Sequence, residues 1–96
     1  MSKEIVAWEN AIIINNKNKN QFRLCYICKT EMNHGTKWNS DLNQHNGWNI
    51  DHIDVNESND ISKNLCAVHY ECNWKKGNKD YTQLYKDAKN LNWTIE

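Results

Sequence analysis

Trp48-Asn49-Ile50-Asp51-His52-Ile53, then Asn64-Leu65-Cys66-Ala67-Val68-His69-Tyr70-Glu71-Cys72-Asn73-Trp74-Lys75-Lys76-Gly77, is the stretch on which the fold of this chain turns. Trp48, Ile50, Ile53 and Val55 give residues 48–55 strand character, and Ile61 to Val68 is expected as a second short strand. Asn56 to Asp60 between them is loop-like. From about Tyr70 the pattern turns helical. Gly77 is placed to stop that helix, because glycine takes the left-handed C-terminal conformation without a Cβ penalty. The expected centre is therefore a hairpin followed by a helix.

Two ligand-spaced pairs bracket this centre. Cys25-Tyr26-Ile27-Cys28 puts two thiolates across one tight turn. His69-Tyr70-Glu71-Cys72 repeats the spacing, with both side chains on one face of a first helical turn. A tetrahedral zinc ion takes four nitrogen or sulfur ligands, commonly as two close pairs, so structural Zn²⁺ is expected. Cys66 is a fifth candidate: Cys25, Cys28, Cys66 and Cys72 form an alternative set, and otherwise Cys66 is a small buried strand residue. Disulfides are the competing use of four cysteines, but nothing in the chain has the layout of a secreted protein. His34 and His45 stand in polar stretches and read as solvated loop histidines.

Outward from the centre, residues 3–16 carry Ile5, Trp8 and Ile12 at helical spacing, with Val6 and Ile13 beside them. An amphipathic helix is expected there, capped by Ser2 and stopped at Asn15-Asn16. Asn15 to Gln21 is a polar connector, and Asn46-Gly47 reads as a turn. Tyr81, Leu84, Tyr85, Ala88 and Leu91 fit a last amphipathic helix opened by Asp80. The expected class is α+β, in one domain over residues 1–96. Residues 1–20 form an N-terminal helix and connector, 25–77 the stapled core and 78–96 a C-terminal helix.

With 96 residues and a mean hydropathy of -0.97, the chain has little material for a large core, which fits the need for a metal staple. Five Trp residues compensate in part, since each fills much volume. The longest apolar run is Ala11 to Ile14, far short of a membrane span, and no membrane association is expected. Residues 1–4 lack the layout of a secretory signal, so an intracellular, cytoplasmic location is expected. The 17 Asn residues point to an AT-rich genome such as that of a phage, a large virus or a low-GC bacterium.

Asp51 and His52 on an otherwise apolar strand need a partner or a job. Asp51 offers hard oxygen ligands for Mg²⁺, and His52 an imidazole that can act as a base. Asn73 follows a zinc-ligand candidate, and the 100° helical step turns it toward the hairpin while Cys72 faces the metal. Lys76, three residues on, shares the face of Asn73, where it could meet a phosphate.

These motifs carry a resemblance. C-x2-C, W-x-I-D-H-I, N-L and ligand-x2-C-N-x2-K-G in this order, over residues 25–77, resemble the HNH endonucleases, whose ββα-metal (His-Me) finger is held by a zinc knuckle. His52 and Asn64 match the first His and the Asn of the family name, and Asn73 stands at the final His. This H-N-N form is similar to the endonuclease VII-type enzymes of phages. The resemblance implies single-metal hydrolysis of DNA phosphodiester bonds, with His52 as general base and Asp51 and Asn73 as Mg²⁺ ligands. Asn64 would fix the loop and orient His52, and Cys25, Cys28, His69 and Cys72 would hold structural Zn²⁺. The family's spacing from Asn64 favours His69 over Cys66. His at 69 in place of the usual Cys, and no Pro after Asp-His-Ile, are departures outside the catalytic set.

Asp51 and His52 point to opposite faces of a regular strand, so a bend or bulge is expected there, or a phosphate wedged between metal and base. The alternative function is a catalytically inactive zinc-stapled module that binds nucleic acid or protein. A net charge of zero looks unfavourable for DNA, but residues 75–89 hold five Lys against two Asp. Lys75, Lys76 and Lys79 are the expected DNA contacts, with modest salt-sensitive affinity. One active site per chain cuts one strand, so a homodimer is one arrangement for cutting both.

Overall fold

The computed structural model describes residues 2–38, 47–56 and 58–95. His45, and Asn46 of the expected turn, lie outside them. Helix α1 (Lys3–Asn10) starts as the sequence suggests, with the Ser2 hydroxyl accepting from the Ile5 amide at 3.2 Å. It does not run to residue 16. Ala11 is extended, and the β-branched run that follows goes into a strand, β1 (Ile12–Ile13). Ile5 and Ile13, expected on the apolar face, are about half exposed, at 49% and 45%.

β1 pairs antiparallel with β2 (Phe22–Leu24), which pairs antiparallel with β3 (Glu31–Asn33). Arg23 of β2 explains where α1 ends. Its buried guanidinium donates to the Glu9 and Ala11 carbonyls at 3.1 and 2.8 Å, groups left without helical partners there. The Cys25–Cys28 knuckle joins β2 to β3 and closes through Lys29, at φ 61°.

The second sheet is the antiparallel pair β4 (Trp48–His52) and β5 (Leu65–His69), with Asp51 opposite Cys66 and His52 opposite Leu65. β4 stops three residues short of Val55. Ile53 and Asp54 turn away, and Val55 sits at φ 64°, costly for a β-branched residue. The start of the second expected strand is a 3-10 turn instead, Ser62–Asn64. Gly47 precedes β4 where a Cβ would lie 2.5 Å from the Trp38 amide nitrogen, so no larger residue fits.

Helix α2 (Tyr70–Lys76) follows β5 without a break and ends at Gly77, φ 55°, where glycine was expected to stop it. Helix α3 (Thr82–Lys89) begins after Asp80, whose carboxylate accepts from the Thr82 amide at 2.9 Å. Leu91, expected on its apolar face, lies beyond its end and is 59% exposed.

The core lies where α1, the hairpin, the knuckle and α3 meet. Trp8 and Trp48 are buried with ring centroids 5.3 Å apart, and their indole N–H groups donate to the carbonyls of Lys19 and His34. Tyr26 packs edge-on against Tyr85. The His34 ring rests against Trp8 at 4.9 Å, although the residue is exposed as expected of a loop histidine. No described helix is long and apolar enough to cross a membrane.

Candidate metal centre and neighbouring cleft

The knuckle and the β5–α2 junction bring one ligand atom from each of Cys25, Cys28, His69 and Cys72 within 4.8 Å of one another. His69 stands at the N-cap of α2 with extended backbone, so its ring and Cys72, one turn into the helix, face the knuckle together. The Cys28 sulfur and His69 Nδ1 are 3.2 Å apart. A tetrahedron with bonds of about 2.1–2.3 Å has edges of about 3.5–3.8 Å, so these four groups can close on one ion with little movement. Three thiolates and an imidazole are a structural zinc donor set.

The four groups are electrostatically coupled to one another. The Cys25 thiol is pushed up because it donates to Cys28 and Cys72. Cys28 accepts from Cys25, and against the opposing effect of its own burial also draws on His69 and Thr30, so its thiol falls to about 3. Cys72 is lowered chiefly by Cys25, and His69 is raised by Cys28. Cys28 and Cys72 favour thiolate, while an entering cation has to displace the protons that Cys25 and His69 hold more strongly.

Cys66 is not part of this cluster. It is fully buried on β5, where it faces the core, and desolvation pushes its thiol well up. A protonated thiol with no surface is a packing residue.

Beside the metal centre, Ile50, Asp51, His52, Val55, Asn73 and Lys76 line an open cleft of about 310 Å³. Three residues expected to act together therefore share one cavity. Their bonding differs from the expectation. β4 is regular through His52, with no bulge, so Asp51 turns inward, 1% exposed, while His52 is half-buried on the other side. One Asp51 oxygen accepts from the Tyr26 hydroxyl and the other from Lys76 Nζ at 2.9 Å. Asn73 Nδ2 donates to the Ile50 carbonyl at 3.3 Å. Both Asp51 oxygens are engaged and an ammonium sits against one of them, so Asp51 and Asn73 as placed do not fit a Mg²⁺ ion.

Lys76 also differs from its expected use. It is 3% exposed and faces Asp51, not solvent, whereas Lys75 and Lys79 are exposed. Asn64 does brace the loop. Its side-chain oxygen accepts from the Asp54 amide at 3.1 Å, and its amide donates to Asp54 Oδ1 and the Asn59 carbonyl, each at 2.9 Å. His52 itself is met by Asp60, Nε2 to Oδ1 2.9 Å, and Asp60 also takes Lys3 Nζ at 2.8 Å. The Asp60 carboxyl is held below the usual range first by Lys3 and then by His52.

Tyr26, Asp60 and Lys3 were not singled out by the sequence. Tyr26 stands between two cysteines with no role of its own assigned, and the Asp60 and Lys3 contacts join residues 8 and 57 positions apart. No protein-family model, curated protein or solved structure matches this chain.

Proposed function

We propose that this chain is a zinc-stapled ββα-metal finger of the HNH endonuclease class, which hydrolyses phosphodiester bonds in DNA. One observation carries the reading. The hairpin-then-helix unit places His52, Asp51 and Asn73 on a single open cleft, directly beside a four-ligand metal centre whose ligand Cys72 precedes Asn73. Zn²⁺ on Cys25, Cys28, His69 and Cys72 is structural in this reading. Four protein ligands leave no open position for a reacting water.

His52 is the general base. An Nε2–H donated to Asp60 leaves Nδ1 as the basic nitrogen, able to take a proton from water attacking phosphorus. Asp60 is in turn anchored by Lys3. Asn64 ties Asp54 and Asn59 together and so holds the loop that carries Asp60. Exposed Lys75 and Lys79 attract the backbone of the substrate. Mg²⁺, the family's cation, belongs only to a state in which Lys76 has left Asp51.

A second reading is a catalytically inactive module that binds nucleic acid or protein, and the commitment of Asp51 to Tyr26 and Lys76 favours it. Zinc-loaded protein incubated with linear, branched, nicked and single-stranded DNA, with Mg²⁺ or Mn²⁺ present, separates the two. Cleavage of any form supports the nuclease, and binding without cleavage across the panel supports the module.

A further inference from the structure

We infer that Lys76 is the resident cation of the Asp51 carboxylate and excludes a divalent ion from it in the free protein. It rests on the contacts of the pair and not on the nuclease reading. Lys76 is the last residue of α2, and its side chain turns back onto the hairpin that precedes the helix. There its ammonium meets Asp51 Oδ1 at 2.9 Å, the His52 carbonyl at 2.7 Å and the face of Tyr81, whose ring centroid is 5.6 Å away.

A carboxylate oxygen and a backbone carbonyl are the hard oxygens that Mg²⁺ seeks, and here they surround a lysine. Only 2% of the Lys76 side chain and 1% of the Asp51 side chain are exposed, so the pair is scarcely screened by water. A divalent ion can reach Asp51 only by ejecting the ammonium.

Lys76 and His52 line the same open cleft, so the ion pair sits at its wall.

The test uses zinc-loaded full-length protein and Mn²⁺ as the probe, with free Mn²⁺ read by electron paramagnetic resonance. Lys76→Met is expected to bind Mn²⁺ at least about 10-fold more tightly than wild type, and Asp51→Asn in the same chain to remove the gain. Equal affinity of wild type and Lys76→Met, or a gain that survives Asp51→Asn, overturns the inference. A measurement on the wild type keeps it testable if Lys76→Met does not fold. In ¹⁵N-lysine-labelled, zinc-loaded protein with no Mg²⁺ added the Lys76 ammonium resonance should be protected from exchange with water, and Mg²⁺ should abolish that protection only in step with binding. A Lys76 ammonium that exchanges freely before Mg²⁺ is added, or Mg²⁺ saturation at Asp51 with the protection intact, overturns it. None of these readouts needs cleavage, so a chain that shows them and cuts no DNA keeps the inference and loses the nuclease.

Discussion

Lys76 Nζ lies 2.9 Å from Asp51 Oδ1 in a pair almost wholly shielded from water, and the Tyr26 hydroxyl completes the carboxylate from the knuckle side. This contact ties three separate pieces of the chain, the knuckle, the hairpin and α2, at one point. Removing one charge leaves the other buried without a partner. Lys76→Met or Asp51→Leu alone should each cost about 3–5 kcal/mol in chemical denaturation. The double variant should recover part of that loss but not all, because Tyr26 then lacks its acceptor. Additive losses in the double variant would show that the two groups act independently.

The metal centre makes a prediction about ligand identity. Co²⁺ in place of zinc should give the intense visible bands of a tetrahedral thiolate site. Cys25→Ser or Cys72→Ser should lose them, and the chain should lose most of its folded structure with them. Cys66→Ala should keep the spectrum, since Cys66 points into the core and its burial holds the thiol protonated. Loss of the bands in Cys66→Ala alone would move the site.

Two buried tyrosines contribute to the pH dependence of the fold on the alkaline side. Burial pushes both phenols above their ordinary 10.0, with the Asp51 charge adding to the effect at Tyr26. A folded-state value above the unfolded one favours the fold fully below about pH 10, and that contribution is lost as the pH rises further. The ring ¹³Cζ resonances of Tyr26 and Tyr85 should therefore stay those of phenols past pH 10 until the chain unfolds. Midpoints near 10 in intact protein would contradict this.

Asn64 holds the loop between the two strands with three side-chain hydrogen bonds while 7% exposed. Asn64→Ala should cost about 1–3 kcal/mol. Amide exchange at Asp54 should rise while that of the β4–β5 ladder changes little. An unchanged Asp54 amide would mean that the loop is held by other contacts.

The parts of this molecule that were legible in its sequence are those written in local spacing. Two pairs three residues apart mark the four groups that could hold a metal ion, and Gly77 marks the end of α2, where φ is positive. The hairpin was visible from Trp48, Ile50 and the stretch Ile61 to Val68, of which only the part from Leu65 is strand. What stayed hidden depends on partners distant in the chain. β2 and β3 are three residues each, too short for a period to emerge, and α1 ends at Asn10 because Arg23 and the β1–β2 pairing take over the residues that follow. Asp51 and His52 stood out on an apolar strand, but nothing local says that Tyr26 and Lys76, each 25 residues from Asp51, occupy both of its oxygens.

The most direct test of the nuclease account is the nicking rate of supercoiled plasmid by wild type and His52→Ala, at matched zinc content and with Mg²⁺ or Mn²⁺ present. A general base contributes about 10²–10⁴-fold, so His52→Ala should fall by at least about 100-fold while its Co²⁺ spectrum and fold are unchanged. Equal rates for the two proteins, or no nicking by either, would contradict the assignment of His52 as the base of a nuclease.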